Sequence, residues 1–208
     1  MALTKVTNEL LEIGVLADAT NFTDSILISQ NASTGTLSSA SDNTGLGDSV
    51  FAALTSGDQN TAIGSDALDA LTTGSRNTAI GFGSLTANTT AGNNTAIGDG
   101  SLNANTTGAN NTSVGLGSLE ANTTASNNTS VGYLSLLSNT TGDQNTAVGG
   151  ISTDANTTGI RLTAIGFESL TANTTGNNNT ALGHTALAAN TTGSQNVAVG
   201  YNTLTANT

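Results

Sequence analysis

A seventeen-residue repeat fills most of this chain and constrains its fold more than any other feature. Ten copies without an insertion or deletion imply that every copy occupies the same length of path, as stacked rungs do. The sequence therefore predicts a solenoid, although a polar chain rich in Asn, Thr and Gly could also suggest disorder. A glycine that follows an Asn-Thr-small-aliphatic run marks each copy, at intervals of 17 residues: Gly47, Gly64, Gly81, Gly98, Gly115, Gly132, Gly149, Gly166, Gly183 and Gly200.

Each position of the repeat is occupied by a characteristic type of residue. We call each copy a rung and number its 17 positions as columns, with column 1 at the Asn. Column 4 is always Leu, Ile or Val, and column 9 is Leu in eight of ten rungs, so we predict that these two columns form the core. Columns 3, 8 and 11 are mostly Ala or Ser, and column 5 is always Gly, as expected where two backbones approach closely or φ is positive. An Ile97→Asp substitution in column 4 is accordingly expected to lower the unfolding temperature.

Local patterns favour strands over helices. Thr-Ala-Ile-Gly is typical of a short β-strand, and for Ser-Leu-x-Ala we prefer a second strand to a tight helical turn. Paired helices need about 33 residues per repeat, and the chain contains no Asn-Gly pair of the kind that marks hairpins. Column 1 is Asn in nine rungs and column 13 is Thr in all ten, which predicts ladders of identical side chains. The predicted fold class is all-β, a parallel β-roll or β-helix solenoid of ten 17-residue repeats.

The small core bears on oligomeric state. Two large apolar side chains per rung contribute roughly 1.5–3 kcal/mol each when buried, against about 1–2 kcal/mol of backbone entropy for each ordered residue. A single thin coil is therefore expected to hide a further face against identical chains, and closed rotational symmetry permits this. We predict an interlocked homotrimer in preference to a dimer.

Composition excludes several classes of function. The chain has no Cys and one His, so it has no thiol nucleophile, Cys-ligated zinc or His-rich metal site, and we expect no cofactor. The net charge of −11 disfavours nucleic acid and anionic membranes as partners. The apolar run at residues 10–16 is too short for a membrane span and is interrupted by Glu12, so we also expect no membrane insertion and no export through a standard signal peptide.

Few residues are candidates for a site. His184 lies in column 6, a variable column that we expect at the surface or in a subunit interface. Asp66 and Asp69 could in geometry form a carboxylate pair for glycoside hydrolysis, but two solvated acids are the favoured interpretation. The calcium-binding nonapeptide is absent. We therefore assign no catalytic, cofactor-binding or metal-binding residue and predict that the chain is not an enzyme.

Two alternative functions belong to other classes. An ice-binding solenoid could use the Thr of columns 2, 13 and 14, and this interpretation would gain if columns 13 and 14 both faced solvent. Consecutive strand residues point to opposite faces, however, so neighbouring Thr do not share one plane. A depolymerase spike would need converging acids and aromatic side chains for sugar stacking, whereas aromatic residues make up 3% of the chain.

The repeat resembles two related families. Asn-Thr-Ala-Ile-Gly followed by small residues is similar to the head repeats of trimeric autotransporter adhesins (the YadA-like head), a left-handed trimeric β-roll. It more closely resembles the repeats of bacteriophage tail fibres, through the copies at 77–93, 94–110 and 179–195 and the opening Met-Ala-Leu-Thr-Lys-Val-Thr. The autotransporter repeat is shorter than 17 residues, which favours the tail fibre.

The resemblance implies a function and an organisation. A structural tail fibre component would be assembled in the host cytoplasm and located in the virion tail, as a stiff spacer between the tail or baseplate and host-surface recognition. Residues 1–42 are expected to dock to tail or baseplate proteins, to cap the first rung, or both. Residues 43–208 form the repeat region, whose last rung is incomplete, so we expect the natural chain to continue. A host receptor or glycan is a further expected partner, and a surface adhesin head is the alternative.

Overall fold

The computed structural model describes residues 14–19, 22–29 and 38–206, and within these residues the regular structure is entirely β-strand. One short strand occurs in each rung, and three further strands precede the first rung. The strands are β1 (Gly14–Ala19), β2 (Phe22–Ser29), β3 (Ala40–Ser41), β4 (Thr44–Leu46), β5 (Thr61–Ile63), β6 (Thr78–Ile80), β7 (Thr95–Ile97), β8 (Thr112–Val114), β9 (Thr129–Val131), β10 (Thr146–Val148), β11 (Thr163–Ile165), β12 (Thr180–Leu182) and β13 (Val197–Val199).

The strands form one sheet in which successive rungs lie side by side. The order is β1-β2-β4 and then β5 to β13 in sequence, with β3 paired to β2. Pairing from β2 to β13 is parallel and keeps the columns aligned, for example Thr95 with Thr112 and Ile97 with Val114. The described rungs therefore stack in register, which confirms the predicted parallel β-solenoid of about ten 17-residue turns.

The N-terminal segment extends this sheet beyond the first rung. Strand β2 pairs with β4 so that Leu27 lies opposite Gly45 of column 3, and Leu27 is fully buried in the core. Strand β1 then pairs with β2 in the antiparallel sense and covers its outer edge. The described part of residues 1–42 thus acts as a cap on the first rung. The rest of the predicted attachment segment lies outside the described residues.

Each rung contains one strand and one turn region instead of the two strands that we predict. Columns 2–4 form the strand, as expected from Thr-Ala-Ile, whereas columns 6–11 form consecutive turns. The second strand is wrong because the backbone there adopts left-handed φ values, for example +60° at Asp66 in column 7 and +52° at Leu102 in column 9. Extended strands require negative φ. The turns still hydrogen-bond between rungs, as from the N–H of Leu102 to the carbonyl of Ser118.

The core lies on one side of the short strands. Column 9 is buried as predicted except in the last rung, where Leu204 is 50% exposed. The prediction that column 4 is buried is wrong, since Ile97 is 37% exposed whereas Leu102 of column 9 is fully buried. Because strand residues alternate between faces, burying the Ala or Ser of column 3 turns columns 2 and 4 outward. The coil is thin, and only small side chains fit between the strand and the opposite leucine column. The buried apolar core therefore holds about one large side chain per rung.

Asparagine fills much of the remaining interior. In column 1 the Oδ1 atom of Asn60 accepts the main-chain N–H of Asn77 at 2.9 Å, and its Nδ2 atom donates to the carbonyl of Gly74 at 3.0 Å. A second ladder runs through column 12, where Nδ2 of Asn122 donates to Oδ1 of Asn105 at 2.8 Å. The ladder in column 1 confirms the sequence prediction, and the one in column 12 was missed. Both ladders supply partners for buried polar groups, which would otherwise destabilise the coil.

The glycine of column 5 has both properties expected of it. Gly98 has a φ of +133°, and a Cβ atom added there would lie 2.5 Å from the carbonyl oxygen of Gly115 in the next rung. No other amino acid fits at this position, because its side chain would be strained at this φ and would also push the rungs apart. Column 5 therefore sets how closely the rungs stack.

The core assignment predicts opposite outcomes for two leucines in neighbouring rungs. Leu102 is fully buried in column 9, whereas Leu116 in column 6 is 51% exposed. We expect Leu102→Ala to lower the free energy of unfolding by about 2–5 kcal/mol, because it leaves a cavity. Leu116→Ala is the matched control and should change it by less than about 0.5 kcal/mol in a monomer. Chemical denaturation followed by circular dichroism measures both, and equal losses would contradict the assignment of columns.

Candidate functional site

The outward face of the parallel sheet is the main candidate surface. Columns 2 and 4 both point away from the core, so the Thr of column 2 and the Ile, Leu or Val of column 4 line this face in every rung from Thr44 to Val199, except that Val197 replaces Thr in the last. Six column 4 side chains are clearly exposed and the other four are half-buried. We call these two columns the exposed strip. It is an uninterrupted neutral surface of Thr and aliphatic side chains.

Column 6 lies beside the exposed strip and is more variable. The expectation that column 6 lies at the surface is confirmed for its large side chains, since Phe82, Tyr133 and Tyr201 are all more than half exposed. His184 stacks between Phe167 and Tyr201, with ring centroids separated by 5.6 and 5.3 Å. Both faces of the His184 ring are therefore largely covered by these two neighbouring rings. The column adds apolar area beside the strip, most of it in the C-terminal half.

The threonines of columns 13 and 14 have different environments. Column 13 is half-buried over most of its length, and its hydroxyl groups donate to the carbonyl of the next rung, as from Thr72 to Thr89 at 2.9 Å. Column 14 is exposed, for example at Thr107 and Thr124. The condition that would favour ice binding through columns 13 and 14 is thus met only by column 14. Column 13 is a structural ladder.

The acidic pair considered for hydrolysis lies within one rung. Burial and, secondly, the neighbouring carboxylate of Asp66 raise the pKa of Asp69 above its ordinary value.

Within the described ranges, no group of three or more His, Cys, Asp or Glu residues could hold a metal ion. No helix in the described part of the chain is long and apolar enough to cross a membrane.

A shallow depression lies on another side of the rod. It has a volume of about 380 Å³ and is lined by columns 10 and 11 of three successive rungs, including Asn103, Glu120 and Leu137. Glu120 is the one ionisable side chain in its lining, so the depression offers no acid-base pair. This geometry does not assemble the groups that a hydrolytic site requires.

The raised pKa of Asp69 gives a pH-dependent prediction. The folded chain binds this proton more tightly than the unfolded chain, so stability falls as the pH rises from below the ordinary pKa through the folded value. We expect Asp69→Asn to raise the unfolding temperature at pH 7 but not at pH 3, where Asp69 is protonated in both states. Thermal melts at the two pH values measure this, with Asp99→Asn in exposed column 6 as the control. An equal gain at both pH values would contradict the electrostatic cause.

Comparisons with protein-family models, curated proteins and solved structures find no match to this chain.

Proposed function

We propose that this chain is a structural, non-enzymatic component of a bacteriophage tail fibre, in which three copies form a rigid spacer between the tail and host-surface recognition. The observation that carries the proposal is the exposed strip, which runs the full length of ten rungs stacked in register. At about 4.8 Å per rung, ten rungs extend roughly 45–50 Å. A regular rod of this kind suits a spacer better than it suits a reaction site.

The length of the exposed strip supports association with other copies. Monomeric soluble proteins rarely expose long contiguous apolar surfaces, and such surfaces commonly mark interfaces. A partner that packs along the whole strip must present side chains at the same spacing as the rungs. A second copy of this chain in parallel orientation meets that condition, since Ile97 would then lie beside Ile97 of its neighbour.

Symmetry and charge both favour a closed trimer about the strip. A three-fold axis that runs parallel to the rod, in front of the exposed strip, brings three strips together and leaves the other faces in solvent. Columns 2 and 4 contain no charged residue, so the net charge of −11 per chain lies outside the strip. Acidic residues of column 6, such as Asp48 and Asp99, would lie at the margin of the interface, where solvent screens them. The thin core adds a reason for burial between copies.

The placement in a virion rests on the resemblance of the repeats to those of tail fibres. The proposal assigns residues 1–42 to docking on tail or baseplate proteins, in addition to the capping role of strands β1 and β2. Host-receptor or glycan recognition belongs to the distal part of the fibre. An adhesin head that uses the same trimeric β-roll is the alternative, and it would place the rod on a cell surface.

Ice binding is a second candidate, supported by one observation. The Thr of column 2 and the aliphatic residues of column 4 share one regular exposed face, as Thr95 and Ile97 do. In this case the strip would remain open to solvent in a monomer. Thermal hysteresis of a monomeric protein would support this candidate, and its absence would leave the fibre as the better explanation.

The trimer predicts both a mass and an effect of substitution. Light scattering coupled to size exclusion should give about three times 20.4 kDa. Ile97→Asp should yield a folded monomer, because the charge lies in the interface and not in the core. Thr107→Asp in exposed column 14 is the control and should remain a trimer. A wild-type monomer would exclude the trimer, and an Ile97→Asp trimer would exclude the strip as its interface.

The location in the virion predicts a labelling pattern. Antibodies raised against the purified repeats should label the tail of intact phage particles in electron micrographs. Labelling of bacterial surfaces without particles would instead favour the adhesin alternative. Absence of label from both would contradict a role in attachment.

A further inference from the structure

We infer that the rung at residues 145–161 is a built-in weak point, where the solenoid opens first and which divides it into two blocks. The buried apolar side chains form two separate clusters, one from Leu27 to Ala147 and the other from Leu162 to Ala198. The division falls where the leucine column is interrupted by Thr153. We call residues 145–161 the weak rung.

The buried polar group in the weak rung is poorly accommodated. Thr153 replaces the column 9 leucine and is fully buried, yet its hydroxyl has no hydrogen-bond partner among the described residues. Leu136 and Leu170 occupy the same column in the rungs on either side. The substitution therefore removes apolar contact in both directions and adds a desolvated hydroxyl.

The backbone of the weak rung is strained at two positions. Ile151 in column 7 has a φ of +54° and Thr153 a φ of +55°, values that β-branched residues rarely adopt. Three other rungs place Gly in column 7, where this conformation has no steric cost, for example Gly100 and Gly117. Thr185 is the remaining β-branched residue with positive φ among the described residues. The weak rung is where two such residues occur together.

The column 1 ladder is interrupted one rung further on, although the N–H of Leu162 still donates to Oδ1 of Asn145 at 2.9 Å. Leu162 replaces the column 1 asparagine of the next rung, so its side chain offers no oxygen to the main-chain N–H of Asn179. The N–H of Ala155 donates to the carbonyl of Thr171 at 3.3 Å, whereas the equivalent bond from Ala172 to Ala188 measures 3.0 Å. Apolar and conformational irregularities thus coincide in the weak rung, and the break in the column 1 ladder lies one rung beyond it.

Local opening follows from the architecture. In a solenoid each rung contacts only its neighbours, so stability is close to a sum of rung and interface terms, and one weak term can uncouple the two sides. Strain and an unpaired buried group at one rung therefore lower the free energy of opening there rather than over the whole rod. All of these contacts lie within one chain, so the weak rung is expected to open first in a monomer and in a trimer alike.

Hydrogen exchange on the protein of 208 residues tests the inference. Amides at 146–160 should exchange about 10- to 100-fold faster than those at 112–126, which corresponds to about 1.4–2.8 kcal/mol of local stability. A repaired variant, Ile151→Gly/Thr153→Leu, should slow exchange at 146–160 to the level of neighbouring rungs. Thr158→Gly in exposed column 14 of the weak rung is the control and should not slow exchange there.

A transplanted defect provides a second measurement. Leu119→Thr places a Thr153-like residue in an ordinary rung, and fast exchange should then appear at 112–126. Slow exchange at 146–160 in the wild-type protein would overturn the inference. Fast exchange that the repaired variant leaves unchanged would also overturn it, because the named residues would not be its cause.

Discussion

The structure depends on hydrogen bonds that join equivalent positions of successive rungs. Asn60 receives the N–H of Asn77 and binds the carbonyl of Gly74, and the same arrangement is repeated along most of column 1. In a coil with so little apolar volume, these buried amides take the place of a larger hydrophobic core. Their geometry requires the rungs to stay in register, because a shift by one residue would leave several buried polar groups unpaired in every rung.

Sequence reasoning predicted the path of the chain better than the direction of its side chains. The constant interval of 17 residues was enough to establish a stacked coil, one strand in columns 2–4 and the leucine column. It failed for column 4, because a column of Ile and Val resembles a core until one knows which face of a three-residue strand lies inside. The deciding feature was the small side chain of column 3, such as Ala96, which fits the narrow interior.

Two other differences have a similar physical origin. Left-handed φ at leucines such as Leu102 is not expected from propensity, since leucine rarely adopts it, and it replaced the predicted second strand with turns. The ladder of buried asparagines in column 12 was missed because asparagine usually lies in exposed turns. The surface positions were easier to predict. The variable residues of column 6 were expected at the surface, and the exposed side chains of Phe82 and Tyr133 confirm that expectation.

The constant spacing of contacts also has a kinetic consequence. Almost every contact between rungs joins residues about 17 positions apart, as Asn60 and Asn77 are, which is roughly 0.08 of the chain length. Relative contact orders near this value are typical of fast-folding helical bundles, whereas all-β domains usually have about twice as much. A nascent chain can therefore add one rung at a time to an edge that already exists, beginning from strand β2. Each rung can form soon after its own residues have been synthesised. Few unpaired strands are then exposed to aggregation.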